Sequence, residues 1–92
     1  MQDSSQQPPR RDTQRVLNEA WPLRDRNGSH ARGILDRDPI DVEVRIVWSH
    51  DGEEWIAGQA TRWTTSHVFV RVRDPRLLVP HVWVRAGDVR RV

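Results

Sequence analysis

Ile40-Asp41-Val42-Glu43-Val44-Arg45-Ile46-Val47-Trp48 places an apolar side chain at every second position over most of its length. A period of two is the mark of a half-buried strand. It turns Val42, Val44 and Ile46 to the core, with Trp48 on the same side at the strand's end. Asp51-Gly52, within Ser49-His50-Asp51-Gly52-Glu53, is a hairpin turn signal. Glu54 to Trp63 then reads as a second strand, and Gly58 marks a bulge or sharp bend within it.

The same period continues downstream. His67-Val68-Phe69-Val70-Arg71-Val72-Arg73 predicts a third strand, with the valines inward and Phe69, Arg71 and Arg73 outward. Asp74-Pro75 ends it. Val82-Trp83-Val84-Arg85 predicts a fourth strand, closed by Ala86-Gly87-Asp88, and Val89-Arg90-Arg91-Val92 a short fifth. Short strands joined by tight turns, with no helix between them, predict an all-β, five-stranded antiparallel unit over residues 40–92. Such a unit is a sandwich or a barrel, and the expectation is a small five-stranded barrel, whose closure removes exposed edges.

Upstream the composition changes. Residues 1–15 are rich in Gln, Ser, Pro and charge, and such a segment buries too little apolar surface to offset ordering entropy. Residues 1–39 are therefore expected to form a flexible arm. Within it Val16, Leu17, Ala20 and Trp21 share one helical face, so a short helix over 13–21 is expected if it docks on the barrel or on a partner. Pro22 would stop it. Asn27-Gly28 and Asp38-Pro39 are turn signals in an otherwise charged stretch. Removing residues 1–39 should then leave the barrel folded.

The chain has 92 residues and no cysteine. Disulfides, thiolate metal ligands and cysteine nucleophiles are excluded. A fold of about 53 residues leaves little room for a deep catalytic cavity. No apolar run suits a signal peptide or a membrane span, so a cytoplasmic protein is expected. All fifteen basic residues are arginine, and the net charge is only +2. The high pI of about 10.9 thus reflects arginine's pKa more than a large positive field. Exclusive arginine fits a GC-rich genome, such as that of an actinobacterium or one of its phages.

No convergent catalytic set is visible. Ser49-His50-Asp51 are neighbours on a strand end, whereas a triad is a spatial constellation. Asp51, Glu53 and Glu54 read as a solvated turn. His30, His50, His67 and His81 lack ligand spacing for zinc. No enzyme activity, cofactor, metal or small-molecule substrate is expected.

Trp48-Ser49-His50-Asp51-Gly52-Glu53-Glu54-Trp55-Ile56-Ala57-Gly58 resembles the first hairpin of Tudor-like domains, which belong to the SH3-like small barrels. Trp83 to Arg90 resembles the end of such barrels, where a 3₁₀ turn precedes the last strand. The resemblance covers about residues 40–92. It implies that Trp48 and Trp55 contribute to an aromatic cage for a methylated cation. The remaining cage positions hold Arg71, Arg73 and Asp74, and arginine there would repel such a ligand.

The outward face of strands three and four is the more informative constellation. Phe69, Arg71 and Arg73 should lie beside His81, Trp83 and Arg85, with His67 at the rim. Aromatics interleaved with arginines suit nucleic acid and also protein hot spots. The same face could instead pack beneath Val16, Leu17 and Trp21. The expectation is a non-enzymatic binding module for nucleic acid or nucleoprotein, using Arg71, Arg73, Arg85, Phe69 and Trp83. The alternative is a protein-interaction adaptor, a bacterial or phage accessory factor that engages its partner through Trp48 and Trp55 or through Phe69 and Trp83.

Overall fold

A computed structural model describes residues 13–22, 34 and 36–92. The expected turns at Asn27-Gly28 and the expected disorder over residues 1–12 lie outside them. Five strands follow in order: β1 Ile40–Trp48, β2 Gly52–Trp63, β3 His67–Arg71, β4 His81–Arg85 and β5 Val89–Arg91. They form one antiparallel sheet in the order β4-β3-β2-β1-β5.

The period-two reading of β1 holds. Val42, Val44, Ile46 and Trp48 are all buried, and the residues between them are not. The β1–β2 turn closes through Gly52, whose φ of 79° lies in the left-handed region that favours glycine. Gly58 is demanded by close approach instead. A Cβ there would stand 2.7 Å from Val70 Cγ1 and 2.8 Å from the Arg71 carbonyl oxygen. Just beyond it the register shifts between Ala60 and Arg62. This irregularity lets both Ala60 and Trp63 serve the core, while Arg62 faces outward opposite Phe69. The core is completed by Val70, Val72, Val82 and Val84.

The sheet does not close into a barrel. β5 has three residues, and all of them pair with Val42 to Val44 of β1. The other edge of β5 forms no ladder with β4, so β4 and β5 are the two edges of the sheet. A 3₁₀ turn, Ala86–Asp88, carries the chain from one sheet edge to the other.

Residues 13–22 occupy the open seam, and they do so without a helix. Val16 bridges Trp48. The Leu17 N–H donates to the Val47 carbonyl at 2.7 Å, and the Ser49 N–H donates to the Arg15 carbonyl at 2.9 Å. Further along, the Ala20 N–H donates to the Trp83 carbonyl on β4 at 2.8 Å. The short β5 leaves the end of β1 unpaired, and the arm satisfies it. Edge pairing therefore outcompetes a helix that would be about two turns long. Val16 packs on the core while Leu17 is 58% exposed, so the expected common face is split.

Candidate functional site

The register sets the outward face of β2, β3 and β4. Phe69 lies opposite Trp83, Arg71 opposite His81, His67 opposite Arg85, and Gln59 opposite Arg71. The expected neighbours are thus brought together, but they are not equally accessible. Trp83 is 2% exposed. Phe69 packs on it with ring centroids 5.1 Å apart, and Trp21 of the arm stands 6.2 Å away. Trp83 is thus a support beneath Phe69 and the arm. Phe69 and His81 are half-buried, with centroids 4.7 Å apart. The Arg62 guanidinium lies 5.2 Å from the Phe69 ring centre and pairs with Asp36.

Arg71 and Arg73 are exposed on this face. Arg71 is held by a short relay: it donates to Gln59 Oε1 at 2.7 Å, and Gln59 Nε2 donates to Asp41 Oδ1 at 3.2 Å. Two shallow depressions meet at Arg71. One, of about 450 Å³, is lined by Asp41, Gly58, Gln59 and Arg73. The other, of about 370 Å³, is lined by Arg37, Arg62, Phe69, Pro80 and His81. Arg85 is exposed beyond the opposite end of β3, beside His67.

His67 is 8% exposed, and Ser66 Oγ lies 2.7 Å from its Nδ1. Burial, and then the nearby Arg85 charge, holds its pKa below the usual histidine value.

Several arginines on the other surfaces are paired within the fold. Arg45 pairs with Asp88 at 3.1 Å and Glu53 at 3.4 Å. Arg90 pairs with Glu43 at 2.8 Å and stacks 4.0 Å from the Trp55 ring centre. Arg76 is the most heavily engaged. It lies 4.1 Å from the Trp48 ring centre and donates to Asp74, Glu54 and Asp51 at 2.8, 2.8 and 3.1 Å. These hydrogen bonds raise the pKa of Arg76 and hold all three carboxylates below their ordinary values, with Gln14 the larger influence on Asp51. Among the described residues, Arg15, Arg37, Arg71, Arg73, Arg85 and Arg91 have no carboxylate partner, and of these Arg71 and Arg73 line one depression together.

The two tryptophans of the first hairpin do not share a groove. Trp48 pairs with Gly52 and Trp55 with Arg45, which puts the indoles on opposite faces of the sheet. Trp48 is 1% exposed, and Arg76 lies against its ring. Its indole Nε1 finds no acceptor in good hydrogen-bond geometry, with Glu54 the carboxylate that faces it.

The Ser49-His50-Asp51 stretch is similarly spent on structure. Ser49 Oγ lies 3.1 Å from His50 Nδ1, yet the Asp51 carboxylate turns to Gln14 and Arg76. Gln14 Oε1 also accepts the His50 and Asp51 N–H groups at 3.0 Å. Among the described residues no His, Asp or Glu cluster has metal-holding geometry, and no helix is long and apolar enough to cross a membrane.

Sequence reasoning overlooked Arg76, Asn18 and Gln14. Asp74-Pro75-Arg76 carries a local signal, since the Asp74 carboxylate accepts the Arg76 N–H at 2.9 Å across the turn. The distant partners of Asn18 and Gln14 have no such signal. No protein-family model, no curated protein and no solved structure matches this chain, so the site is read from its own geometry.

Proposed function

We propose that this chain is a non-enzymatic module that binds nucleic acid, free or within nucleoprotein, across the outward face of β2, β3 and β4. One observation carries the reading: Arg71 and Arg73 stand exposed together, without a carboxylate partner, next to the half-buried Phe69–His81 ring pair. Guanidinium groups bind phosphate oxygens in a bidentate fork. Phosphate contacts of this kind give affinity with little sequence preference. Arg85 adds charge at the far end of the face, and buried Trp83 stiffens the floor under Phe69. The strand order and the 3₁₀ turn before β5 support an SH3-like, Tudor-like architecture in an open form. We place its action in the cytoplasm.

The test is an NMR titration of the full chain with a single strand and with a duplex, at low and moderate salt. Salt-sensitive shifts at Arg71, Arg73 and His81 support the reading. Absence of shifts with either ligand at low salt removes it.

A second reading, a bacterial or phage adaptor that modulates a host protein, has its own observation. A groove of about 310 Å³ runs between the arm and residues 77–79, lined by Val16, Leu77, Leu78 and Val79. Leu78 is 64% exposed and Val79 48%. Exposed apolar side chains beside a groove suit a protein partner. Capture of a protein that is lost on Leu78→Ser would favour this reading.

A further inference from the structure

Resting on the nucleic-acid reading, we infer that the ligand is a single strand, with a phosphate on Arg71 and Arg73 and the adjoining base on Phe69 and His81. The two depressions that meet at Arg71 differ in chemistry. The first offers guanidinium donors: Arg71 fixed by Gln59, and Arg73 beside it. The second offers a ring surface, Phe69 with His81 at 4.7 Å, walled by Pro80 and Arg62. Phe69 and Arg71 are two positions apart on β3, about 7 Å along the strand. That is the scale of one extended nucleotide. A cationic subsite beside an aromatic one therefore fits a phosphate followed by a base.

A duplex does not fit the same features. Its bases are stacked inside, and reading their edges takes an element that projects into a groove. Here the rings are half-buried in a shallow face and project nothing. An unstacked base, by contrast, can enter the depression beside Phe69 and His81 and stack with the Arg62 guanidinium that lies over the Phe69 ring. Stacking of this kind is tolerant of sequence.

The Asp41–Gln59–Arg71 relay has a role in this arrangement. It spends one Arg71 donor on the protein and fixes the direction of the rest. A preorganised guanidinium loses less freedom on binding than a free one.

The experiment is fluorescence anisotropy of the full chain with a short labelled oligothymidine, a duplex of equal length, and inorganic polyphosphate as the charge-only probe. The expected result is single-strand affinity at least tenfold above duplex affinity. Phe69→Leu should lower oligothymidine affinity by about tenfold and leave polyphosphate binding unchanged, with an unchanged circular-dichroism melting curve reporting that the variant is folded. Phe69→Tyr should restore it. His81→Ala provides the same comparison at a site that does not support Trp83, should Phe69→Leu unfold the chain. Equal binding of single strand and duplex, with no selective loss in Phe69→Leu or His81→Ala, overturns the single-strand inference and leaves the nucleic-acid reading standing. No binding of any probe at low salt removes both.

Discussion

The side-chain amide of Asn18 takes the place of a backbone peptide beside Val47: it accepts the Val47 N–H at 2.9 Å and donates to the Arg45 carbonyl at 2.9 Å. Its amide nitrogen also reaches Asp88 Oδ2 at 3.1 Å. One side chain thus continues the ladder where β5 ends and ties the 3₁₀ turn to the arm. Asn18→Ala leaves two strand-edge groups in a partly buried setting without partners. The expected loss is about 1–3 kcal/mol, read as a lower urea midpoint with an unchanged slope. Asn18→Asp keeps the acceptor but sets a carboxylate against Asp88, so it should not rescue. By the same logic, removal of residues 1–39 should destabilise the sheet, contrary to the sequence-based expectation. An unchanged midpoint in the truncated chain would count against this role for the arm.

How much of this was legible in the sequence depends on whether a feature is local. Alternation along β1 and β3 names the inward valines because a strand's side chains must alternate. Gly52 and Gly58 were legible as a turn and a bend for reasons of backbone conformation and close approach. The opposite faces of Trp48 and Trp55 could also have been derived. The three-residue loop Ser49–Asp51 pairs Trp48 with Gly52, and counting back sets Trp55 opposite Arg45. The arm's path was not legible. It follows from the shortness of β5, a tertiary fact that leaves the end of β1 unpaired. Alternation put Trp83 on the outward face, but it says nothing of whether Trp21 and Phe69 then cover that face. Arg76 likewise sits near Asp74 in sequence, while Glu54 and Asp51 reach it only through the fold.

Arg76 joins Trp48 to the three carboxylates, and its removal should show in both heat and acid. Arg76→Ala takes away the stacked cation and leaves Asp51, Glu54 and Asp74 facing one another. The melting temperature should fall by several degrees. Arg76→Lys should recover little, because an ammonium lacks the planar fork. In the native chain these carboxylates have lowered pKa values, so their stabilisation is present above pH about 4 and is lost as pH falls through their folded values. Arg76→Ala should therefore lose less stability on acidification than the native chain does. Parallel acid-unfolding curves for the two proteins would contradict this.

His67 predicts a second and separate pH dependence. Its folded pKa lies below the ordinary 6.5, first because it is buried and then because Arg85 is near. The unfolded chain thus binds the proton more readily than the folded chain. Stability is full above about pH 6.5 and declines as pH drops below it, until the folded imidazole also protonates. His67→Asn should flatten this part of the profile, and Arg85→Gln should shift its lower limit upward. Denaturation midpoints between about pH 7.5 and 5 test both, with His30, His50 and His81 common to every protein compared. A native profile that is flat across this range would show that burial does not depress His67.

The Arg71 and Arg73 pair should separate binding from folding. Neither side chain has a carboxylate partner, and Arg71 gives one hydrogen bond to Gln59 on an exposed surface. Arg71→Ala with Arg73→Ala should therefore change stability by less than about 0.5 kcal/mol. Its effect on nucleic acid should be large and of a specific kind. Each phosphate contact on a single strand contributes about 0.7 to the slope of log affinity against log salt. The two arginines share one phosphate, so loss of both should reduce that slope by about 0.7, along with the affinity at low salt. Arg90→Ala supplies the contrast, because Arg90 is already committed to Glu43 and Trp55. It should leave the slope unchanged. Equal slopes in the native chain and the double variant would mean that the charge on β3 is not what meets the phosphates.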